Sequence, residues 1–167
     1  MRCSSESRQT FAMAAPKKAA LFVCLGNICR SPIAEAVFLH VAKENGVEDK
    51  WRADSAGTGD WHVGCPPDRR AQECMKAHNV HMEHRARVVV DEDFHQFDFI
   101  FGMDENNIRD LKEMAPKQCK AQVGLLGSYD PEGQEIIRDP YYDRGSDGFE
   151  QVYQQCVRCC KAFFKGQ

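Results

Sequence analysis

Eight consecutive residues, from Cys24 to Ser31, place a thiol, a glycine and an arginine where an anion could be held. They follow a short apolar run and precede Pro32, so they link a strand to the start of a helix. Gly26 and Asn27 can adopt the positive φ that a tight loop requires. The backbone N–H groups of such a loop can converge on one oxyanion at the helix N-terminus.

Within this loop, Cys24 is the residue best placed to react. A helix N-terminus and the Arg30 guanidinium both favour the thiolate, which is the nucleophilic form of cysteine. Arg30 can hold two oxygens of a phosphoryl group with its planar fork, and Ser31 can hydrogen-bond the sulfur as it leaves. The same spacing also occurs by chance around buried core cysteines. The strand before the loop and the Ser-Pro helix start after it favour the chemical interpretation.

A second segment, Asp139 to Tyr142, supplies what such a thiol needs. An oxygen leaves phosphorus readily only when it receives a proton, so a carboxylic acid on a loop is expected. Here Asp139 precedes Pro140, which stiffens the turn, and two tyrosines that can stack on an aromatic substrate. Alone, the segment would be read as a turn with exposed aromatics. We expect Trp61 to line the same cleft opposite Tyr141 rather than to plug the core.

The elements that must position these segments alternate along the chain. Strands are predicted at residues 20–23, 51–56, 97–103 and 122–126, and the first and third of these are expected to be buried. Helices are predicted after the capping residues Ser31, Asp68 and Asp104, and the apolar stripe of a C-terminal helix includes Cys156 and Cys160. The alternation predicts a single three-layer α/β domain, with a four-stranded parallel sheet and helices on both faces.

Composition limits the possible classes of protein. The chain has 167 residues and 43% hydrophobic content, which suits one globular core. A net charge of −3 provides no basic field for nucleic acid or anionic lipid, and no apolar run approaches the roughly 20 residues of a membrane span. Nine cysteines without a secretory segment indicate reduced thiols in the cytoplasm. Residues 1–18 are expected to form a disordered leader before a domain at 19–167, with a transit peptide or a start at Met13 as alternatives.

From about Ala20 to Phe164, the sequence resembles the low-molecular-weight protein tyrosine phosphatases, also called low-molecular-weight acid phosphatases. Four motifs carry the resemblance in the family's order: Val23 to Pro32, Asp54 to Thr58, Met103-Asp104 and Asp139 to Tyr142. The resemblance implies a four-stranded parallel sheet flanked by helices. It also implies hydrolysis of phosphotyrosine in proteins, and of other aryl phosphate monoesters, through a cysteinyl-phosphate intermediate. No cofactor is expected, and the protein is expected to be a monomer or weak homodimer.

The resemblance also assigns roles to residues. It implies that Cys24 is the nucleophile, Arg30 the phosphate clamp and Asp139 the general acid. Supporting positions are Ser55, which together with Asn27 holds the loop in shape, and Asp104, which orients Arg30. The expected substrate-binding residues are Leu25, Gly26, Asn27, Ile28, Cys29, Ser31, Trp61, Tyr141 and Tyr142.

Two other functions compete with this interpretation. Arsenate reduction uses a similar oxyanion pocket, but it needs cysteines placed for a disulfide relay and a polar acid loop. A phosphotyrosine-binding module without catalysis would lack the thiol or the acid, and this sequence has both. Within the loop, Cys29 predicts redox control, because it could capture an oxidised Cys24 as a disulfide.

Possible metal ligands form two weaker patterns. Cys74, His78, His81 and His84 recur at intervals that could hold zinc, but helical spacing does not extend across all of them. A faint calcium-loop pattern at residues 143–148 lacks an oxygen ligand at Gly145. Both patterns are set aside, so no metal site is expected.

Overall fold

The computed structural model of the protein describes residues 15–167, so most of the predicted leader, residues 1–14, lies outside the described residues. The four strands are β1 (Lys18–Cys24), β2 (Trp51–Gly57), β3 (Phe99–Gly102) and β4 (Gln122–Leu125). The five α-helices are α1 (Arg30–Glu44), α2 (Arg69–Ala77), α3 (Asp93–Gln96), α4 (Glu105–Met114) and α5 (Asp147–Lys165). A short 3₁₀ helix spans Leu126–Tyr129.

All four strands are parallel and lie in the order β2-β1-β3-β4. Strand β1 is buried on both faces from Ala19 to Cys24, as its unbroken apolar sequence predicts. Because β1 pairs with β2 on one side and β3 on the other, its carboxyl end lies where the strand order reverses. In open parallel sheets this is the place where ligands bind. Cys24 is the last residue of β1, so the sheet places the thiol at that crevice.

Separate apolar cores cover the two faces of the sheet, which confirms the predicted three layers. On one face, α1 and α5 pack against β1 around Phe22, Phe38 and Phe163. On the other face, Phe94 of α3 and Leu111 of α4 pack with the opposite side chains of β1 and β3. The alternation of side chains along a strand divides β1 between the two cores.

Helix α5 carries the predicted apolar stripe, and three of its cysteines belong to the core. Cys156, Cys159 and Cys160 are each 0% exposed. Burial raises the pKa of Cys159 to about 12 and holds those of Cys156 and Cys160 well above their ordinary value. The spacing on the helix predicted this for Cys156 and Cys160, and the structure adds Cys159 to the core.

Most helix ends follow the capping residues of the sequence. Asp68 and Asp104 cap α2 and α4 through their carboxylates, and Gly46 after α1 has a φ of 69°. The predicted cap of α1 is wrong, because α1 begins two residues earlier than predicted and its N-cap, Cys29, makes no side-chain capping bond. The hydroxyl of Ser31 is used elsewhere, in the loop before the helix.

Two elements differ from the predicted pattern. Strand β3 covers only four of the seven residues expected, because Phe97 and Asp98 lie before the ladder, just after α3, and Met103 follows it. The long loop after β4 begins with the 3₁₀ turn. Within residues 15–167, no helix has the length and apolar character needed to cross a membrane.

Phe163 is the centre of the aromatic packing on the α1/α5 face and is 1% exposed. Its ring centroid lies within 5.2 to 5.8 Å of those of Phe38, Trp51, Phe99, Phe101 and Tyr129.

We expect Phe163→Ala to lower the free energy of unfolding by about 3–5 kcal/mol, because it removes buried area and leaves a cavity between α5 and the sheet. Urea denaturation measures the change. Leu39→Ala, on the exposed side of α1, is the matched control and should change stability by no more than about 0.5 kcal/mol. A similar loss in both variants would show that the aromatic cluster is not the centre of the core.

Candidate active site

The loop from Cys24 to Arg30 wraps around the sulfur of Cys24. The backbone N–H of Asn27 donates to Sγ at 3.2 Å, and Ser31 Oγ lies 3.0 Å from the same sulfur. Both groups can donate a hydrogen bond to a thiolate. The side chain of Cys24 is buried beneath the loop, and its backbone carbonyl accepts from Thr58 N at 3.0 Å, which anchors the loop to the end of β2.

Asn27 holds the loop in a conformation that most residues avoid, with a φ of 57°. Its Oδ1 accepts from the backbone N–H of Arg87 at 3.0 Å, which fixes the orientation of the amide, and lies 2.7 Å from His84 Nε2. Its Nδ2 donates to Ser31 Oγ at 2.8 Å and to Ser55 Oγ at 3.0 Å. Because Ser31 Oγ accepts from Asn27, its own proton is free to point at the Cys24 sulfur.

A second layer lies below Asn27. The hydroxyl of Ser55 donates to Glu35 Oε2 at 2.6 Å, and His84 Nδ1 lies 3.3 Å from the same carboxylate oxygen. Glu35 comes from α1 and Ser55 from β2, so the loop is tied to both elements. Glu35 was not predicted, and His84 was considered from the sequence only as a possible zinc ligand. Their signal was weak, because neither lies in a motif with the residues they contact.

Arg30 is 2% exposed, and its charge is balanced by groups from two other loops. Its Nη1 donates to Asp104 Oδ2 at 2.7 Å and to the backbone oxygen of Ile137 at 3.0 Å. Its Nη2 lies 3.4 Å from Asp139 Oδ2. Burial disfavours the charged guanidinium, but the sulfur of Cys24 and the hydrogen bond to Asp104 outweigh it and raise the pKa of Arg30.

The side chain of Asp139 is 38% exposed, so it faces both Arg30 and solvent. Its Oδ1 accepts from the backbone N–H of Tyr141 at 3.1 Å, which leaves Oδ2 directed toward the guanidinium. A carboxylic acid in this place can reach a group held in the loop and can exchange protons with water.

A cavity of about 350 Å³ opens above Cys24. It brings together ten predicted residues: Cys24, Leu25, Gly26, Asn27, Ile28, Cys29, Arg30, Trp61, Asp139 and Tyr141, with Tyr142 at its rim. Trp61 is 70% exposed and lies on the wall of the cavity, so it does not plug the core. Ser31, Ser55 and Asp104 do not line the cavity and lie behind its lining residues.

His62 also lines the cavity, and the sequence analysis missed it. Its ring lies 6.0 Å from that of Tyr141 and so close to Gly26 that a Cβ added there would be 3.0 Å from His62 Cδ2. Its position next to Trp61 in the sequence was the available signal. The cavity therefore has a polar aromatic group on the wall that Trp61 forms.

Arg70, at the start of α2, joins the two segments that carry the chemistry. Its guanidinium donates to the backbone oxygens of Tyr141 and Asp143, each at 2.9 Å. Its Nε and Nη2 also donate to the Asp68 carboxylate, each at 3.0 Å. The backbone N–H of Asp68 in turn donates to the oxygen of Ile28 at 2.7 Å. Arg70 thus links the loop around Cys24 to the loop that carries the acid.

An anion-binding loop with a thiol at its mouth, at the switch point of a parallel sheet, is the arrangement expected of a phosphatase that acts through cysteine. A model of the low molecular weight phosphotyrosine protein phosphatase family matches residues 19–166. The chain belongs to this family.

Individual relatives agree with this assignment. The rat protein named low molecular weight phosphotyrosine protein phosphatase is 60% identical over 89% of this chain and 94% of its own length. The crystal structure of Primo-1 superposes with a TM-score of 0.87 at 46% identity, covering 90% of this chain and 98% of that one. A solved structure named DARP, a drosophila arginine phosphatase, gives a TM-score of 0.84 at 39% identity, covering 88% and 96%.

If Asp139 is the proton donor that the sequence predicts, Arg70→Met should slow phosphoryl transfer by about 10- to 100-fold, because a small displacement of its loop misplaces the carboxyl group. The loss should be larger for phenyl phosphate than for p-nitrophenyl phosphate, which needs the proton less. Arg69→Met is the matched control, since Arg69 is its exposed neighbour in the same helical turn. Equal losses for the two esters, or the same loss in the control, would contradict a positioning role for Arg70.

Proposed function

We propose that the protein hydrolyses phosphotyrosine in proteins, and small aryl phosphate monoesters, through a cysteinyl-phosphate on Cys24. The observation that carries the proposal is the convergence in one cavity of a thiol, a buried guanidinium and a half-exposed carboxyl group. The name of the rat relative supports the same substrate class. The proposed reaction needs no metal or cofactor, because these side chains supply the nucleophile, the charge and the proton.

In the first step, the phosphate binds the N–H groups of the loop and the fork of Arg30. The Cys24 thiolate attacks phosphorus, and the bond from phosphorus to the phenolic oxygen breaks. Asp139, as the carboxylic acid, gives its proton to that oxygen, so phenol rather than phenolate departs. Arg30 keeps its hydrogen bonds to Asp104 and Ile137, which hold the guanidinium in plane while its other nitrogen turns from Asp139 to the phosphate.

In the second step, water attacks the phosphorus of the cysteinyl-phosphate. The Asp139 carboxylate accepts the water's proton, and the bond from phosphorus to sulfur breaks to release inorganic phosphate. The departing thiolate is stabilised by the Ser31 hydroxyl and by the N–H of Asn27, which already face the sulfur. The network below Asn27 supports this role, because it leaves the Ser31 proton directed at Cys24.

The walls of the cavity favour an aromatic leaving group. Trp61 and Tyr141 both line the opening, and Tyr142, which is 90% exposed, packs edge-on against Tyr141 with ring centroids 4.9 Å apart. Exposed rings at the rim can stack on the phenyl ring of a phosphotyrosine while the phosphate reaches the loop. We also propose that the protein acts in the cytoplasm as a monomer or weak homodimer, in keeping with its free thiols and modest charge.

We further propose reversible redox control at the same loop. Peroxide oxidises the Cys24 thiolate to a sulfenic acid, and the Cys29 thiol then attacks that sulfur, forming a disulfide and releasing water. Burial raises the pKa of Cys29, so in the closed loop it stays a thiol and capture requires the loop to rearrange. A dithiol reductant restores both thiols.

The redox proposal predicts that Cys29→Ser will recover less activity than the native protein when a peroxide pulse is followed by dithiothreitol. Without Cys29, the sulfenic acid proceeds to sulfinic acid, which the reductant does not reverse. Cys65→Ser removes an exposed thiol instead and should recover like the native protein. Full recovery of the Cys29 variant would show that Cys29 does not protect Cys24.

The catalytic proposal predicts that Asp139→Asn will slow single-turnover phosphorylation by phenyl phosphate by about 10²–10⁴-fold, because the amide has no proton to give. The loss should be smaller for p-nitrophenyl phosphate, whose leaving group is far less basic. Rapid-quench measurement of phenol release gives the rate of the first step, separate from hydrolysis of the intermediate. Equal losses for the two esters would exclude Asp139 as the acid.

Three controls complete this experiment. Asp143→Asn changes a carboxylate of the same loop that pairs with Arg138, and it should keep the leaving-group dependence of the native protein. Cys24→Ser should bind inorganic phosphate yet form no phosphoenzyme. Rates on phosphotyrosine and phosphoarginine peptides compare the two substrate classes that the relatives' names suggest. A preference for phosphoarginine would overturn the proposed substrate and leave the nucleophile assignment intact.

A further inference from the structure

Outside the active-site cavity, helices α2 and α5 bring together a thiol, an imidazole and a carboxylate. Cys74 lies in α2 and His78 at its C-cap, while Glu150 lies in the first turn of α5. One ligand atom from each, Cys74 Sγ, a ring nitrogen of His78 and a carboxylate oxygen of Glu150, all lie within 4.8 Å of one another. These three residues are called the α2–α5 cluster below, and none of them lines the cavity above Cys24.

The backbone fixes the two residues of α2 on one side of the helix. The N–H of His78 donates to the oxygen of Cys74 at 3.2 Å, so the helical turn continues through the cap and the two side chains share a face. The imidazole is held further by Tyr153 of α5, whose ring stacks on it with centroids 3.8 Å apart and planes 18° apart. The orientation of the imidazole toward Glu150 is therefore set before any ligand arrives.

The distances within the cluster are close to those around a single metal ion. Glu150 Oε1 and Oε2 lie 2.9 and 2.8 Å from His78 Nε2, and Cys74 Sγ lies 3.5 Å from Oε2. Sulfur, nitrogen and oxygen ligands of one tetrahedral zinc are separated by about 3.3–3.5 Å, given metal bonds of about 2.0–2.3 Å. The sulfur already meets this spacing, and the imidazole and carboxylate must separate by about half an ångström.

We propose that the α2–α5 cluster is a binding site for a divalent transition metal of the zinc class, with Cys74, His78 and Glu150 as its three protein ligands. A donor set of thiolate, imidazole and carboxylate suits zinc, whereas calcium and magnesium prefer oxygen ligands alone. The side chains of His78 and Glu150 are 28% and 45% exposed, which gives the metal a path from solvent and a place for water as the fourth ligand. On binding, the metal replaces the Cys74 thiol proton and the proton between His78 Nε2 and the Glu150 carboxylate, and both protons pass to solvent.

The cluster corrects the ligand set considered from the sequence. Of Cys74, His78, His81 and His84, only the first two meet, and the third protein ligand comes from α5. His81 is exposed and pairs with Glu83, while His84 lies under Asn27. In the metal-free protein, burial and the neighbouring Glu150 raise the pKa of Cys74 to about 12, so its thiol is a hydrogen-bond donor to that carboxylate. The competing description is therefore a His78–Glu150 ion pair with a thiol beside it.

Titration of the metal-free protein with cobalt(II), and with zinc(II) in competition, distinguishes these descriptions. We expect one cobalt to bind with a thiolate-to-cobalt charge-transfer absorption, which zinc then displaces. Cys74→Ser should abolish that absorption, and His78→Gln or Glu150→Gln should weaken binding at least tenfold, as the loss of a metal-orienting group typically does. Cys119→Ser and His81→Gln, which change an exposed thiol and an exposed imidazole, are the matched controls and should bind as the native protein does.

The thiol of Cys24 could also bind cobalt, so the titration is repeated in Cys24→Ser protein, where the absorption assigned to the α2–α5 cluster should persist. Because the metal joins two helices, zinc should also raise the melting temperature, and Cys74→Ser should remove that shift. An absorption that survives Cys74→Ser in the Cys24→Ser protein, or that disappears with Cys24→Ser alone, would overturn the proposal. Absence of any charge-transfer absorption would favour the simple ion pair.

Discussion

The active site depends on the left-handed conformation of Asn27. A loop that turns its N–H groups inward needs a residue at positive φ, and glycine would provide that freedom without anything to hold it. Asparagine accepts the same conformation and uses both ends of its amide. One end is fixed by Arg87 and His84, and the other directs the hydroxyl of Ser31. The shape of the loop and the direction of the proton at the sulfur are therefore set by one side chain.

Arg30 connects the loop around Cys24 to the other segments of the site. A buried guanidinium is stable only where its charge and its N–H groups are matched, and Asp104 and the Ile137 carbonyl do this on one side. On the other side, Nη2 contacts the Asp139 carboxylate at 3.4 Å, a longer distance than that to Asp104. Arg70 then restrains the acid loop from behind through backbone carbonyls. Two arginines thus connect segments that lie more than one hundred residues apart in the sequence.

Local patterns were sufficient to predict the parts of the structure that depend on local forces. The buried strand before Cys24, the caps at Asp68 and Asp104, and the stripe of α5 each follow from the residues at hand. The capping role predicted for Ser31 was wrong, whereas its predicted contact with the sulfur is present, because the hydroxyl can serve a helix end or a sulfur and only the folded loop decides between them.

The residues missed by the sequence analysis act across the fold. His62 becomes part of the cavity only because its ring approaches Gly26, and Arg70 matters only because the loop after β4 returns to α2. Neither contact corresponds to a regular spacing of residues in the sequence, so neither could be predicted from it. The bounds of β3 are similar, since its ladder with β4 ends at Gly102 although the next residue, Met103, is apolar.

The three buried cysteines of α5 can report when that helix separates from the sheet. Their sulfurs have no exposed surface, and their high pKa values keep them from ionising, so a thiol-alkylating reagent cannot modify them while α5 lies against the sheet. Cys65 and Cys119 are exposed and would be modified directly. The rate of alkylation of these three cysteines, measured by mass spectrometry, therefore reports how often α5 separates from the core.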